Sequence, residues 1–171
     1  KITRPIKSLD IIIKTCTSVN LVTQSKKRIF EKNKSEYTFR TINSIIKSLE
    51  FNKYELKNIK IKIYIIDHNS KKEDLIKIND KLSKTSFEFK IINLQLEKFS
   101  QIKTINKNNP IIEKNMKATM SSIHQSFDIA KSECDDLIYF VEDDYIHKKE
   151  SIFEMLSSYE KISSEINREL F

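Results

Sequence analysis

Glycine is absent from this chain of 171 residues, and its absence excludes several common ligand-binding motifs. These are the Gly-rich phosphate loops of P-loop and dinucleotide-binding proteins and the Gly-rich signature of sugar nucleotidyltransferases. Asparagine must then supply left-handed turn positions, and Asn69 and the pair Asn108 and Asn109 fall where turns are expected. Long apolar runs are absent too, since none approaches the ~20 residues of a membrane span.

Cysteine is scarce as well, with only Cys16 and Cys134 in the chain. They lie far apart, and each is at the edge of an apolar run, where a reduced cysteine commonly packs. The sequence therefore predicts two buried thiols and argues against a disulfide framework or a thiolate metal site.

Charge is unevenly distributed along the chain. The formal net charge is +7, made up of +14 over residues 1–117 and −7 over residues 118–171. A basic body with an acidic C-terminal third suits a polyanion, a membrane surface, or a phosphorylated ligand shared with a metal ion. A solvated, Lys-rich surface is an equally good interpretation.

Short apolar runs alternate with helical patterns along the chain. The runs with strand character are LDIIIKTC (9–16), IKIYIID (61–67), FEFKIINL (87–94) and DLIYFVE (136–142). The first, second and fourth are nearly continuous in apolar residues, as expected for strands covered on both faces, whereas the third alternates and suits an edge.

The segments between these runs have the apolar spacing of helices. SKKE (70–73) has the form of a capping box, and Asn109-Pro110 resembles an N-cap followed by proline at the first helical position. The apolar residues expected to face the core are Ile42, Ile45, Ile46 and Leu49; Leu75, Ile78 and Leu82; Ile112, Met116, Met120, Ile123, Phe127 and Ala130; and Ile152, Met155, Leu156, Tyr159, Ile162 and Ile166.

This order of elements predicts the fold class. Strands that alternate with helices indicate an α/β fold with a doubly wound, mainly parallel, Rossmann-like sheet and helices on both faces. Residues 1–171 are expected to form a single domain. Residues 95–109 are the expected long loop.

The strand ends bring the notable polar residues to one rim, because ligands of such sheets bind at the carboxyl ends of the strands. The first strand ends in Lys14, Thr15, Cys16 and Thr17, the second in Asp67, His68 and Asn69, and the fourth in Glu142, Asp143 and Asp144.

Three adjacent carboxylates repel one another, so a positive group is expected beside Glu142, Asp143 and Asp144. Hard oxygen ligands suit Mg²⁺ or Mn²⁺, and such an ion usually completes its shell with substrate phosphates. Glu142 and Asp144 should point to one side of an extended segment and Asp143 to the other. An acidic turn that caps a helix starting near Lys148 is an equally good interpretation.

The histidines and the residues after the acidic run receive simpler interpretations. His147 and His68 are both expected to face solvent. The alternative for His147 is metal ligation, and the alternative for His68 is base stacking or hydrogen bonding. Tyr145 and Ile146 are expected to pack under the acidic turn.

The succession IIIKTCTSVN, TINSIIKSLE, IYIIDHNS and DLIYFVEDDYI resembles the nucleotide-sugar-binding half of GT-A fold glycosyltransferases, especially family 2-like enzymes. The resemblance covers about residues 8–160. VEDDYI resembles the DxD motif in an EDD form. The helix before it lacks the Arg-Asn-Gly pattern that many relatives carry.

The resemblance implies roles for particular residues. Thr15 and Thr17 would line the nucleotide pocket, and Asp67 would contact the base or ribose. Glu142 and Asp143 would face the sugar and ribose, and Asp144 would hold the metal ion. The family's catalytic base lies in an acceptor-binding half, no residue here matches it, and we expect this chain to lack that half.

The resemblance also implies a function. The chain would be a metal-dependent glycosyltransferase domain that uses Mn²⁺ or Mg²⁺. It would bind a UDP- or GDP-linked sugar and transfer the sugar to a saccharide or lipid-linked acceptor. We expect it in the cytoplasm or at the membrane periphery, with no specific nucleic-acid partner. The alternative is a non-catalytic or degenerate α/β module that binds or assembles at an anionic surface.

Overall fold

The computed structural model describes residues 1–18, 33–104 and 109–170, and in these ranges strands and helices alternate along the chain. The strands are β1 (Ser8–Thr15), β2 (Lys60–Asp67), β3 (Glu88–Asn93) and β4 (Leu137–Glu142). The α-helices are α1 (Lys34–Phe51), α2 (Lys72–Leu82), α3 (Pro110–Glu133) and α4 (Ser151–Ile166). A short 3₁₀ helix, Leu96–Phe99, opens the expected long loop, of which residues 105–108 lie outside the described ranges.

The strands pair in parallel in the order β3-β2-β1-β4. The chain moves from β1 through β2 to β3 in one direction and then returns to the other side of β1. Because crossovers between parallel strands keep one hand, this reversal moves the connecting helix to the opposite face of the sheet. The α/β, doubly wound, Rossmann-like fold with helices on both faces is thus confirmed.

The larger core lies between the sheet and α1, α2 and α4, on what we call the α1 face. Its buried residues include Ile11, Ile13, Ile63 and Ile65 of the sheet and Ile42, Ile45, Ile46 and Leu49 of α1. A smaller core on the opposite side, the α3 face, contains Ile12, Tyr64, Ile66 and Ile129. The apolar stripe predicted for α1 is confirmed, because each of its members is buried.

The strand bounds agree with the sequence to within about a residue, but one burial prediction is wrong. β3 lies at one end of the strand order, as its alternating pattern indicated, and β4 lies at the other end. β4 is only partly covered, since Val141 is buried and Phe140 is 44% exposed. A continuous apolar run therefore does not show whether a strand lies in the middle of the sheet or at its edge, because an edge strand such as β4 can be just as apolar while helices cover only part of it.

The stripe predicted to bury α3 is also largely wrong, because Met116, Met120 and Phe127 are exposed. The helix instead buries a face of small and polar residues: Ala118, Ser121, Ser122, Gln125, Ser126 and Ile129. In α4 the stripe is half right, since Ile152, Leu156 and Tyr159 are buried and Met155, Ile162 and Ile166 are exposed. In α2, Ile78 and Leu82 are buried and Leu75 is half-buried. Apolar spacing identifies helix faces but not which face meets the sheet.

The turn and cap predictions divide in the same way. Asn69 has φ of 59°, the left-handed conformation expected of it. Asn109 caps α3, with its side-chain oxygen accepting hydrogen bonds from the backbone N–H groups of Ile111 and Ile112. The capping box at Ser70 is wrong, because α2 begins at Lys72 and its N-cap is Lys71.

Candidate functional site

A cavity of about 460 Å³ opens at the carboxyl ends of β1 and β4. The chain reverses direction between these two strands, and the crevice at such a reversal is where sheets of this kind bind ligands. One wall comes from the rim of the sheet and the start of α1, and the other from α3. The rim residues are Lys14, Thr15, Cys16, Lys34, His68, Glu142 and Asp143, and the α3 residues are Ile112, Asn115, Met116, Ala118, Thr119, Met120 and Ser122.

The adjacent acids project to opposite faces of the sheet, although the acidic run is not the extended segment expected: Glu142 ends β4, and Asp143 and Asp144 form the turn after it. On the α3 face, Lys14 Nζ donates a hydrogen bond to Glu142 Oε1 at 2.9 Å. On the α1 face, Asp143 Oδ1 accepts from Lys34 Nζ at 2.5 Å and Oδ2 accepts from Thr38 Oγ1 at 2.7 Å. The positive groups expected beside the acidic run are therefore lysines of the chain itself.

Asp143 is 6% exposed, and this burial raises the pKa of its carboxyl group. The Lys34 ammonium and the Thr38 hydroxyl oppose the rise, while the neighbouring Asp144 adds to it. Asp144 is half-buried. Both carboxylate oxygens of Asp143 are thus occupied, and its side chain belongs to the packing of α1.

Thr15 and Asp67 form a second buried pair at the rim. Thr15 Oγ1 donates to Asp67 Oδ1 at 2.8 Å, and the backbone N–H of Ser70 donates to Asp67 Oδ2 at 3.1 Å. Thr17 N donates to Ser70 Oγ at 2.8 Å, and Thr17 Oγ1 accepts from the backbone N–H of Lys71 at 3.0 Å. This network ties the ends of β1 and β2 to the start of α2.

The assigned site residues therefore lie at one rim but differ in their access to the cavity. Thr15, Glu142 and Asp143 line it, whereas Asp144, the residue assigned to the metal ion, does not. Thr17 and Asp67 are buried in the adjoining network, and each Asp67 oxygen accepts a hydrogen bond within it. Tyr145 and Ile146 are 62% and 67% exposed, so the expectation that they pack under the acidic turn is wrong.

Neither histidine of the rim region faces solvent as expected. His68 is half-buried and lines the cavity, and burial and Lys114 lower the pKa of its imidazole, while Asp67 opposes the lowering. His147 is also half-buried, with Nε2 2.8 Å from the Tyr139 hydroxyl and Nδ1 3.3 Å from Ser44 Oγ. With both ring nitrogens engaged, His147 is not placed to bind a metal ion.

Lys34 is the site residue that sequence reasoning missed. It is the first residue of α1, where the helix dipole disfavours a positive charge. A lysine at a predicted helix start therefore signals a nearby carboxylate, although the sequence does not say which one.

Metal-type ligands are sparse at this rim. The described ranges contain no group of three or more His, Cys, Asp or Glu side chains that could hold a metal ion. Cys16 and Cys134 are thiols, as predicted, but both are half-buried, so the prediction that they are buried is wrong; burial raises the pKa of the Cys134 thiol to about 12. In the same ranges, no helix has the length and apolar character needed to cross a bilayer.

No protein-family model and no curated protein sequence matches the chain. Among solved structures, the chain is similar to residues 1–349 of TarS from S. aureus, a glycosyltransferase, with a TM-score of 0.48 and 14% identity. The match covers 90% of this chain and 32% of that one, so the chain spans about a third of the TarS structure. Such a likeness concerns the path of the backbone and assigns no residue of the site.

Proposed function

We propose that the cavity binds a nucleoside-diphosphate sugar together with a divalent metal ion, and that the chain acts in glycosyl transfer. The observation that carries the proposal is the position of the cavity. It lies between β1 and β4, where the order in which the chain adds strands reverses, and lysines and carboxylates meet there. The resemblance of the EDD segment to a DxD motif points to the same class of ligand.

The dimensions and walls of the cavity suit this ligand. Its volume of about 460 Å³ falls within the ~300–1,000 Å³ usual for small-molecule sites. Ile112, Met116 and Met120 offer an apolar surface for a planar base, and Asn115 and Thr119 offer hydrogen-bonding groups. The charged groups lie on the opposite wall, where the diphosphate would bind.

The two lysines would play different parts. Lys14 pairs with a Glu142 side chain that is 60% exposed, and such solvent-screened pairs contribute little and exchange partners readily. Lys14 is therefore available to a phosphate. Lys34 is held in a buried pair with Asp143, so its charge is largely balanced and it serves to fix the Asp143 carboxylate beside the cavity.

The carboxylates fit a metal ion that takes few protein ligands. Mg²⁺ and Mn²⁺ are commonly held by one or two carboxylates and complete their shells with phosphate oxygens and water. Asp144, which follows the cavity-lining Asp143 but does not itself line the cavity, is the proposed ligand, and Glu142 becomes available when Lys14 turns to phosphate. The bound ion would act as a Lewis acid that stabilises the negative charge on the departing diphosphate. The proposed acceptor is a saccharide or a lipid-linked saccharide.

Calorimetric titration with UDP and GDP, each with and without Mn²⁺, tests the proposal. We expect Mn²⁺-dependent binding of one nucleotide and an affinity loss of about tenfold or more in Asp144→Ala. Asp80→Ala is the matched control, because Asp80 is exposed on α2 and does not line this cavity. Binding that is absent, or that is equal in Asp144→Ala and the parent, would refute the proposed site.

The same protein also tests the alternative of a module at an anionic surface. Salt-dependent binding to vesicles containing phosphatidylserine, without any nucleotide effect, would favour that alternative over glycosyl transfer.

A further inference from the structure

The segment between β4 and α4, residues 143–150, carries the acidic run and has no helix or strand of its own. Its backbone polar groups need partners other than a regular ladder. Several come from the side of α1 that faces this segment. We call Lys34, Thr38, Ser44, Ser48 and Asn52 the α1 ladder; with Thr41 between them, they follow the three- and four-residue spacing of one helix face.

The α1 ladder contacts the segment from its start to its end. Lys34 and Thr38 hold the Asp143 carboxylate at the start. Near the end, Asn52 Nδ2 donates to the Lys149 carbonyl at 2.7 Å, and Ser48 Oγ accepts from the backbone N–H of Ile152 at 3.2 Å. The middle of the segment is held through His147.

His147 makes three contacts, and their geometry fixes its tautomer. Ser44 Oγ donates its one proton to the Thr41 carbonyl at 2.8 Å and accepts from the His147 backbone N–H at 3.0 Å. The His147 Nδ1 atom, 3.3 Å from the same oxygen, must then carry a hydrogen and donate it. Nε2 is left as an acceptor, and the Tyr139 hydroxyl donates to it at 2.8 Å.

We propose that His147 is a positioning residue: by joining Ser44 of α1 to Tyr139 of β4, it fixes the course of residues 143–150 and so positions the turn that carries Asp143, which lines the cavity, and Asp144, the proposed metal ligand beside it. The inference rests on the proposed function for the identity of that ligand. The imidazole acts through the segment and does not touch the cavity, since His147 is not among its lining residues in the described ranges.

Tyr139 supports this role because it is anchored at the other end of the contact. Its ring packs against the core of the α1 face and meets the imidazole edge-to-face, with the ring centroids 5.7 Å apart. Burial raises the pKa of the Tyr139 hydroxyl, so that it remains a hydrogen-bond donor at neutral pH. The positions of Tyr139 and Ser44 are thus set by the fold, and the hydrogen bonds of His147 to both residues hold the segment 143–150 in place between them.

The first test measures the segment in the free protein by amide hydrogen exchange. We expect His147→Ala to accelerate exchange in residues 143–150, and Tyr139→Phe to do so more weakly, with α2 unchanged as the internal reference. Tyr139→Phe keeps the ring and removes only the hydroxyl, so it remains informative if His147→Ala folds poorly. Unchanged exchange in Tyr139→Phe and in a folded His147→Ala would overturn the proposal.

The second test measures UDP or GDP binding in the presence of Mn²⁺. We expect His147→Ala to weaken binding by about tenfold, as loss of a supporting hydrogen bond commonly does. His147→Gln should restore it, because its amide supplies both an N–H for Ser44 and an oxygen for Tyr139. Equal affinity in His147→Ala and the parent would overturn the proposal and leave the proposed function standing.

The pH profile separates positioning from a purely structural role. Burial lowers the pKa of His147, and the ionisable group that faces it from β4 is Tyr139, while Ser44 faces it from α1. The affinity of the parent protein for the nucleotide should fall in acid as His147 gains a proton. His147→Gln is the reference, because it keeps His68 and every carboxylate of the parent, and its affinity should fall less. Identical profiles would overturn the proposal. If the parent binds no nucleotide, the proposed function fails, and the exchange measurement alone decides whether His147 holds the segment.

Discussion

At the residue scale, the adjacent carboxylates of Glu142 and Asp143 are tolerated because they project to opposite faces and each meets its own lysine. Lys14 lies one strand away from Glu142 and Lys34 at the start of α1, about a hundred residues distant in sequence from Asp143. The need for positive charge was predictable from the sequence, whereas its source was not. Local sequence reports repulsion between adjacent carboxylates, but only the assembled fold brings the lysines to them.

Replacing Lys34 with methionine tests the buried pair. The side chains of Lys34 and Asp143 are 13% and 8% exposed, so Lys34→Met leaves a buried carboxylate that Thr38 alone, among the residues the structure describes, compensates. We expect a loss of about 3 to 5 kcal/mol in the free energy of unfolding at neutral pH. Urea denaturation at several pH values measures it, and the loss should shrink in acid, where the Asp143 carboxyl is protonated.

The double variant Lys34→Met/Asp143→Leu is the control for this prediction. Removing both charges eliminates the unpaired carboxylate, and the Thr38 hydroxyl keeps its hydrogen bond to the Lys34 carbonyl at 3.2 Å. We expect the double variant to regain most of the lost stability. A single variant as stable as the parent would show that the pair does not compensate the buried charge.

Asp10 gives a prediction about pH. It lies buried on β1, and burial raises the pKa of its carboxyl group, although the Asp135 backbone N–H and Lys62 partly oppose the rise. A raised folded-state pKa means that the carboxyl binds its proton more tightly in the folded state, so its contribution to stability falls as pH rises from the unfolded to the folded pKa. Asp10→Asn should therefore raise the melting temperature at neutral pH and have less effect in acid. Scanning calorimetry of both proteins measures this, and a variant less stable than the parent at neutral pH would contradict it.

At the element scale, the strands were more predictable than the helix faces. Runs rich in apolar and β-branched residues placed each strand to within about a residue; for β1 and β2 the reason is burial on both sides of a parallel sheet, which demands such runs. The faces of α3 were not predictable from apolar spacing. Its apolar side lines the cavity and extends to Phe127, which meets Phe140 edge-to-face, whereas serines and Gln125 face the sheet.

Substitutions on the two faces of α3 should have opposite costs. Ser126 is 2% exposed, and Ser126→Leu should overpack the contact with the sheet at a cost of about 1 to 3 kcal/mol. Met120 is 43% exposed, and Met120→Gln should change stability by less than about 0.5 kcal/mol. Urea denaturation of both variants measures the difference. Comparable losses would mean that the apolar side of α3 is also packed.

At the scale of the whole molecule, the strand order explains why the polar residues converge. Strand ends on one rim could be predicted from the alternation of elements, as could the contributions of Thr15, Glu142 and Asp143 to it. The order β3-β2-β1-β4 then places the reversal between β1 and β4, where the cavity lies. The sequence did not specify that order, because the pattern of alternating strands and helices does not say on which side of the growing sheet each new strand is added.

The basic and acidic parts of the chain also meet in the structure at this rim. The basic first part supplies Lys14 and Lys34, and the acidic last part supplies Glu142 and Asp143, so the two parts meet as ion pairs beside the cavity. If the proposed function holds, these groups would meet a polyanionic ligand and its cation at one place.

Paramagnetic relaxation by Mn²⁺ in amide NMR spectra, recorded with and without UDP or GDP, tests the central claim most directly. If the cavity binds a nucleotide diphosphate with its metal ion, adding nucleotide should concentrate the signal broadening on residues 142–144 and on the cavity residues of β1 and α3. Broadening that ignores the nucleotide, or that centres on another part of the surface, would contradict the account.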